Sequence, residues 1–217
     1  MRIFLLSIYC VTVGPFQVNS YLVTCTETMK GIYIDPGSDI NEVLKIAEKR
    51  QISIEKIIGT HAHIDHAEGV YKVKEAINIP YWLHEKEVKN LESMPEIANG
   101  YGLPIPKVPE VDDFLIPNQK IKVGNLDFKI LLTDGHSPGN ITLYTTDKET
   151  EKNHAIVGDS LFAGSIGRTD LPGGDLSTLL ASIRSQLFTL PPDTIIYSGH
   201  GPSTTIEIEI KNNPFLN

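Results

Sequence analysis

The sequence predicts an α/β protein made of two β-rich halves, each of which ends in a strand and a helix. Apolar strand-like runs alternate with helical runs along the 217 residues, and no repeat or low-complexity segment interrupts them. Hydrophobic residues make up 41% of the chain and charged residues 21%, so a substantial core is expected. At roughly 150 residues per domain, the length favours a single domain over residues 1–217. Because strands and helices each bury one face, the pattern indicates two sheets covered by outer helices.

Five strands are predicted in the first half of the chain, all of them before residue 84. Strand-like runs bounded by turn residues lie at Ile3–Tyr9, Ser20–Thr24, Gly31–Ile34, Lys56–Thr60 and Ile79–Leu83. Helical apolar spacing is found at Asn41–Arg50, where Ser38 and Asp39 are candidate caps, and at Ala67–Ile77 and Glu85–Leu91. The following stretch, Met94–Pro109, contains four prolines and two glycines, which predicts a loop and makes it the best candidate for a lid or specificity segment.

The second half contains another block of strands separated by turn residues. Strands are predicted at Lys120–Val123, Leu126–Thr133, Ile141–Thr146, Ala155–Val157 and Thr194–Tyr197. Helices are predicted at Leu176–Leu187 and after Pro202.

Composition argues against several classes of function. With 19 Lys and Arg against 27 Asp and Glu, the net charge is -8, which disfavours nucleic acid as a partner because that affinity needs clustered cations. No apolar run reaches the roughly 18 residues that span a bilayer, so no membrane association is expected. The apolar N-terminus lacks a small-residue cleavage site, and two cysteines are too few for a disulfide framework. We therefore expect a cytoplasmic protein in which Cys10 and Cys25 are free, buried thiols.

Chemistry is concentrated in the segment His61-Ala62-His63-Ile64-Asp65-His66, directly after a predicted strand. Imidazoles and carboxylates are the ligands that zinc and comparable divalent metals prefer. Because the backbone bends after a strand, neighbouring side chains can serve two centres, with His61 and His63 at one and Asp65 and His66 at the other.

Two or three ligands leave an ion incompletely coordinated, and further donors follow later strands. His136 lies in Gly-His-Ser-Pro-Gly-Asn, Asp159 in Gly-Asp-Ser and His200 in Ser-Gly-His-Gly-Pro. Each follows the carboxyl end of a predicted strand beside glycine, where loops converge and the backbone can approach an ion closely.

The series HAHIDH, GHSPGN, GDSLF and SGHGP resembles the metallo-β-lactamase superfamily, in its glyoxalase II-like branch. The resemblance covers essentially the whole chain and implies an αββα sandwich with the site at one edge. It also implies two divalent metal ions, most simply zinc, with iron or manganese as alternatives. Carried over residue by residue, the first ion is bound by His61, His63 and His136, the second by Asp65, His66 and His200, and both by Asp159.

The resemblance implies hydrolysis of a thioester such as a hydroxyacylglutathione, a small-molecule substrate. A metal-bridging hydroxide would be the nucleophile, oriented by Asp65, while Asp159 fixes the metal separation. Arg168, in Gly167-Arg168-Thr169-Asp170, could bind a carboxylate of a glutathione-like ligand, although a surface ion pair with Asp170 is an equal alternative. True glyoxalase II enzymes carry an aromatic residue where Asp170 stands, and the family's longer members add a C-terminal helical region where this chain ends at Asn217, so the chain resembles the short branch.

Other functions remain open from the sequence. Gly135-His136-Ser137-Pro138-Gly139 matches the nucleophile elbow of serine hydrolases, but the strand-like run after it contradicts the helix which that motif requires. An iron-dependent persulfide dioxygenase shares the Gly-Arg-Thr-Asp segment and is the principal rival. A non-catalytic metal-binding module is the third hypothesis.

Overall fold

A computed structural model describes residues 5–216 and confirms the α/β class: mixed β-sheets are flanked by helices. The described chain divides into two compact units. We call residues 6–115 with 123–125 the N-terminal unit, and residues 5, 116–122 and 126–216 the C-terminal unit. The single domain over residues 1–217 stays a prediction, and residues 3 and 4 of the first predicted strand lie outside the described residues.

The N-terminal unit contains a six-stranded sheet in the order β1-β2-β3-β4-β5-β6. The first three strands pair antiparallel, and β3 to β6 pair parallel. Its strands are β1 Leu6–Val13, β2 Val18–Cys25, β3 Lys30–Ile34, β4 Ser53–Ile58, β5 Tyr81–Leu83 and β6 Asp113–Phe114, and its helices are α1 Asn41–Arg50, α2 Ile64–Ala67, α3 Val70–Ile77 and α4 Val88–Tyr101. Parallel β3, β4 and β5 end at one edge, so the residues that follow these strands are neighbours.

The predicted helix over Ala67–Ile77 is instead two helices, α2 and α3, separated at Glu68 and Gly69. The Gly69 amide donates to the Pro36 carbonyl at 3.0 Å, and a side chain at Gly69 would collide with the Gly37 and Pro36 oxygens. Glycine is therefore required where the chain turns out of α2, the helix that contains Asp65 and His66.

The predicted loop over Met94–Pro109 is wrong in its first half, because α4 continues to Tyr101 and ends at Gly102. Leu91, Met94 and Ala98 lie on one buried face of this helix, and their packing stabilises it despite Pro95 in its interior. A short 3-10 turn, Glu85–Glu87, precedes the helix.

The C-terminal unit contains a six-stranded sheet in the order β14-β13-β10-β9-β8-β7 and a two-stranded ribbon, β11-β12. Its strands are β7 Lys120–Val123, β8 Leu126–Leu132, β9 Ile141–Asp147, β10 Lys152–Gly158, β11 Leu161–Phe162, β12 Ser165–Ile166, β13 Ile195–Ser198 and β14 Thr204–Thr205, and its helices are α5 Leu176–Ser182 and α6 Ile206–Asn212. The predicted helix over Leu176–Leu187 changes at Ile183 into a π-helical turn.

Strand direction places the ends of β8, β10 and β13 at one edge of this sheet. β8 and β10 are both antiparallel to β9, and β13 is parallel to β10 with Gly158 opposite Ser198. The segments after these three strands therefore lie side by side.

Two further expectations can be compared with the structure. Both cysteines have free thiols, but only Cys25 is buried, so the prediction is wrong for the exposed Cys10. Within residues 5–216, no helix combines the length and the apolar character needed to cross a membrane.

Candidate metal centre

The turn after β4 brings together the four candidate ligands of the N-terminal unit. It runs from Thr60 to His63 and leads into α2, which contains Asp65 and His66. His61 and His66 are fully buried, whereas His63 and Asp65 are partly exposed. The centre of the His61 ring lies 4.7 Å from that of His63 and 4.0 Å from that of His66. The short motif therefore forms a compact group of imidazoles.

A buried carboxylate, Asp35, orients this group from the end of β3. Its Oδ1 accepts the Thr60 N–H at 2.7 Å, and its Oδ2 accepts the Thr60 hydroxyl at 2.6 Å and His66 Nδ1–H at 2.9 Å. Because a carboxylate can only accept, Nδ1 of His66 carries a hydrogen, and Nε2 is the nitrogen that can bind a metal. That Nε2 lies 3.6 Å from Asp65 Oδ2.

The same carboxylate acts on His61 through Thr60. The Thr60 hydroxyl gives its one hydrogen to Asp35, so its oxygen accepts from His61 Nδ1, 3.1 Å away. Nε2 of His61 is then the nitrogen available as a metal ligand. One aspartate thus sets the tautomers of two candidate ligands.

Asp35 itself is better described as an orienting residue than as a ligand. Its ligand atoms lie within 4.8 Å of those of His61 and His66, but its oxygens already accept three hydrogen bonds. Its backbone has φ 50°, a left-handed conformation uncommon outside glycine. Asp35 was not predicted from the sequence, although Asp35-Pro36-Gly37 places a strand-end carboxylate two residues before glycine, close to the pattern of the other sites.

In the C-terminal unit, the segments after β8, β10 and β13 bring His136, Asp159 and His200 together. Nε2 of His136 lies 3.6 Å from Asp159 Oδ2, and Nε2 of His200 lies 3.5 Å from the same oxygen. His136 and Asp159 are buried, and His200 is partly exposed. The two predicted histidine ligands of this unit therefore flank the third, the Asp159 carboxylate.

His136 is oriented by a main-chain oxygen. Its Nδ1 donates to the Arg168 carbonyl at 2.7 Å, so Nε2, on the side of Asp159, is the nitrogen that can bind a metal. The preceding Gly167 has no room for a side chain, because a Cβ there would collide with the Asp159 carbonyl and lie 2.8 Å from His136 Nδ1. The backbone of Gly167 and Arg168 thus supports the candidate ligand His136.

Asn140, in the motif of His136, joins the segments after β8 and β10. Its buried Nδ2 donates to Thr133 Oγ1 at 3.0 Å and to Ser160 Oγ at 2.8 Å, and its Oδ1 accepts the Asp159 N–H at 3.4 Å. The amide therefore fixes the backbone of Asp159 relative to the end of β8.

The Arg168 side chain pairs with Asp170, the alternative that the sequence left open. Its Nε and Nη2 donate to the two carboxylate oxygens at 2.7 and 2.8 Å, with both side chains exposed to solvent. These hydrogen bonds lower the pKa of Asp170 to about 2. Recognition of substrate by Arg168 stays a prediction, and it would require the guanidinium to exchange this partner.

Ser137 lacks the features of a nucleophile. It is fully buried, and its hydroxyl has no hydrogen-bond partner among residues 5–216. The segment after Gly139 forms strand β9 rather than the helix of a nucleophile elbow. Among the described residues, therefore, no base is hydrogen-bonded to the Ser137 hydroxyl.

Each unit thus offers a donor set that fits a divalent metal. Bonds of about 2.0–2.1 Å to imidazole nitrogen or carboxylate oxygen place tetrahedral ligands roughly 3.3 Å apart. The separations of 3.5 and 3.6 Å around Asp159, and of 3.6 Å between Asp65 and His66, are close to that value. Hydrogen bonds on the opposite nitrogens of His61, His66 and His136 are the support that metal-binding histidines ordinarily have.

Known proteins are similar to this chain over most of its length. A family model described as the metallo-beta-lactamase superfamily matches residues 13–200. The hydroxyacylglutathione hydrolase GloC of Haemophilus influenzae is 38% identical over 219 residues, covering 98% of this chain and 99% of that protein. The crystal structure of BLEG-1 B3 metallo-beta-lactamase is 36% identical with a TM-score of 0.88, covering 97% of this chain and 100% of the other. The structure of TTHA1623 in a di-iron-bound form is 38% identical with a TM-score of 0.85, covering 96% and 100%.

Proposed function

The chain belongs to the metallo-beta-lactamase superfamily and has its fold. We propose that it is a metal-dependent hydrolase of small thioesters such as hydroxyacylglutathione. The observation that carries the proposal is the pair of oriented donor sets, one in each unit, with hydrogen bonds that set the histidine tautomers. Membership of the superfamily supports a metal-dependent hydrolase. The similarity to the hydroxyacylglutathione hydrolase GloC of Haemophilus influenzae supports hydroxyacylglutathione as the type of substrate.

We propose that the two donor sets together hold two metal ions. The first would be bound by His61, His63 and His136, the second by Asp65, His66 and His200, and Asp159 would bind both. Zinc is the simplest choice for this mixture of imidazole and carboxylate ligands, with iron or manganese as alternatives. When bound, such a pair supplies Lewis acidity and lowers the pKa of a water molecule toward neutrality.

The residues of the chain would then position the reactants. Asp65, partly exposed beside His66, would orient the attacking water as well as bind. Asp35 and the Arg168 carbonyl would keep the imidazoles in the ligand-bearing tautomer. A thiolate leaving group does not need a strong general acid. This suits the proposed site, because its histidines and aspartates are all assigned to the metal ions. Arg168 would exchange Asp170 for a carboxylate of the substrate.

One comparison favours a second candidate. TTHA1623 is described in a di-iron-bound form, and iron is the metal that an oxygen-dependent reaction would need. The persulfide dioxygenase therefore remains the alternative. The Gly-Arg-Thr-Asp segment does not favour either reaction. The backbone of Gly167 and Arg168 supports His136, and both reactions would use His136 as a metal ligand.

A direct comparison of activities tests the proposal. Metal-free protein is reloaded with zinc or with iron, its metal content is measured, and hydrolysis of S-lactoylglutathione is followed beside oxygen uptake with glutathione persulfide. We expect about two ions per chain and thioester hydrolysis by the zinc form. An inert zinc form, with oxygen consumption by the iron form, would replace the hydrolase with the dioxygenase.

A β-lactam is included as a substrate in the same assay, because BLEG-1 is described as a metallo-beta-lactamase. Faster turnover of that amide than of the thioester would reject the thioester as the substrate class. A stable content of one ion, unchanged in Asp65→Ala and His200→Ala, would reject the two-metal site.

A further inference from the structure

A second buried carboxylate contacts the ligand turn of the N-terminal unit from the side of α4. Glu87 ends the 3-10 turn before α4 and is fully buried. Its Oε2 accepts the Ala62 N–H at 2.9 Å and Asn90 Nδ2–H at 3.0 Å. Ala62 stands between the candidate ligands His61 and His63, so this carboxylate holds the backbone that joins them.

Burial makes this contact costly to leave unmade. Glu87 and Ala62 have 0% and 1% of their surface exposed. A buried carboxylate requires hydrogen bonds, and a buried amide without an acceptor destabilises the fold. Ala62 lies outside any strand or helix, so no regular backbone pairing supplies its acceptor. Glu87 satisfies both requirements at once.

Glu87 complements Asp35 on the same turn. Asp35 accepts the backbone N–H of Thr60, and Glu87 accepts the backbone N–H two residues later. The two carboxylates come from different elements, the end of β3 and the start of α4. The Gly59-Thr60 and His61-Ala62 peptide groups are thereby both fixed, whereas Asp35 alone would fix only the first.

We propose that Glu87 is a positioning residue, which holds the Ala62 amide so that His61 and His63 present their ligand nitrogens to the same metal ion. The inference rests on the metal site in the proposed function and not on the identity of the substrate. Glu87 acts through its hydrogen bond from the Ala62 N–H rather than through direct contact with the ion. Glu87 was missed by sequence analysis because Glu85-Lys86-Glu87 resembles an exposed charged run.

The test measures zinc affinity, by competition with a chromophoric chelator, in the full-length protein. Glu87→Ala should weaken binding of the more tightly held ion by about 10- to 100-fold, the usual effect of losing a residue that supports a metal ligand. Glu87→Gln should lose much less, since a glutamine oxygen still accepts from Ala62. Glu85→Ala is the matched control, because Glu85 is an exposed glutamate in the same turn.

A second measurement needs no metal. Hydrogen exchange and the amide proton shift of Ala62 in metal-free protein should be nearly unchanged in Glu87→Gln and should show lost protection in Glu87→Ala. Unchanged zinc affinity in Glu87→Ala, with only a lower melting temperature, would overturn the proposal. If Glu87→Ala does not fold, Glu87→Gln decides: an affinity loss with Ala62 still protected would assign the role to charge and reject positioning. Because affinity is measured without substrate, the result is separate from whether the protein hydrolyses thioesters.

Discussion

Nδ1 of His136 donates to the main-chain oxygen of Arg168 at 2.7 Å, so the orientation of this histidine depends on the backbone and not on the arginine side chain. The guanidinium points elsewhere, to Asp170. Two substitutions one residue apart should therefore have opposite effects on metal binding.

Gly167→Ala should lose metal, whereas Arg168→Ala should retain it. A methyl group at residue 167 would collide with the Asp159 carbonyl and the His136 ring, while Arg168→Ala leaves the carbonyl in place. On a thioester substrate, Arg168→Ala should raise KM more than it lowers kcat if its side chain only anchors the substrate. Elemental analysis and steady-state kinetics measure both effects. Loss of metal in Arg168→Ala would contradict the backbone role.

Asp35→Ala should weaken both metal affinity and stability, although Asp35 is not a proposed ligand. The change removes the acceptor of three hydrogen bonds and leaves the Thr60 N–H buried without it, which costs about 1–3 kcal/mol. Metal affinity should fall by about 10- to 100-fold as His66 loses its orienting partner. Urea unfolding of metal-free protein and chelator competition separate the two effects.

Asp35→Asn is the matched variant for this prediction. One oxygen of the amide can still accept from Thr60, but two acceptor sites are replaced by an NH2 group. We expect affinity between those of wild type and Asp35→Ala. Wild-type affinity in both variants would show that His66 needs no support from Asp35.

Ser137→Ala should keep most of its turnover on a thioester, because the hydroxyl is buried and contacts no base among the described residues. His63→Ala and Asp159→Ala should lose several orders of magnitude, since both side chains belong to the proposed metal sites. Metal content and initial rates are measured for the three variants together. An inactive Ser137→Ala protein with full metal content would restore the serine hydrolase.

The pH dependence of stability should include a contribution from His154, which belongs to none of the ligand motifs. Burial lowers its pKa below that of an exposed imidazole, and its Nδ1 lies 3.1 Å from the Tyr197 hydroxyl. The unfolded chain therefore binds the proton first as pH falls. The stability contributed by neutral His154 is complete above the unfolded pKa of about 6.5 and declines below it.

His154→Gln removes this titration and serves as the comparison. Urea unfolding of metal-free protein from pH 7.5 to pH 5 should show a smaller loss of stability in the variant than in the wild type. Parallel pH profiles for the two proteins would contradict the prediction.

The sequence was sufficient to predict the class of fold and the candidate ligands, because both depend on local patterns. His61 to His66 follow a strand, and His136, Asp159 and His200 repeat the same strand-end position beside glycine. The positions of Glu87 and Asn140 depend instead on which distant backbone each side chain reaches. The interior proline of α4 was misjudged for a similar reason, since the packing of Leu91, Met94 and Ala98 stabilises the helix around it.

The parallel strand ends described above have one consequence for how metal is acquired. In zinc fingers, the ion supplies the free energy of folding, and the metal-free chain is unfolded. Here the candidate ligands are held within each unit by the protein itself: the Asp35 carboxylate and the Arg168 carbonyl orient imidazoles, and the Asn140 amide fixes the backbone of Asp159. Loading is therefore expected to fill preorganised ligands with little loss of conformational entropy, and a chelator should remove activity while the circular dichroism spectrum of the protein remains.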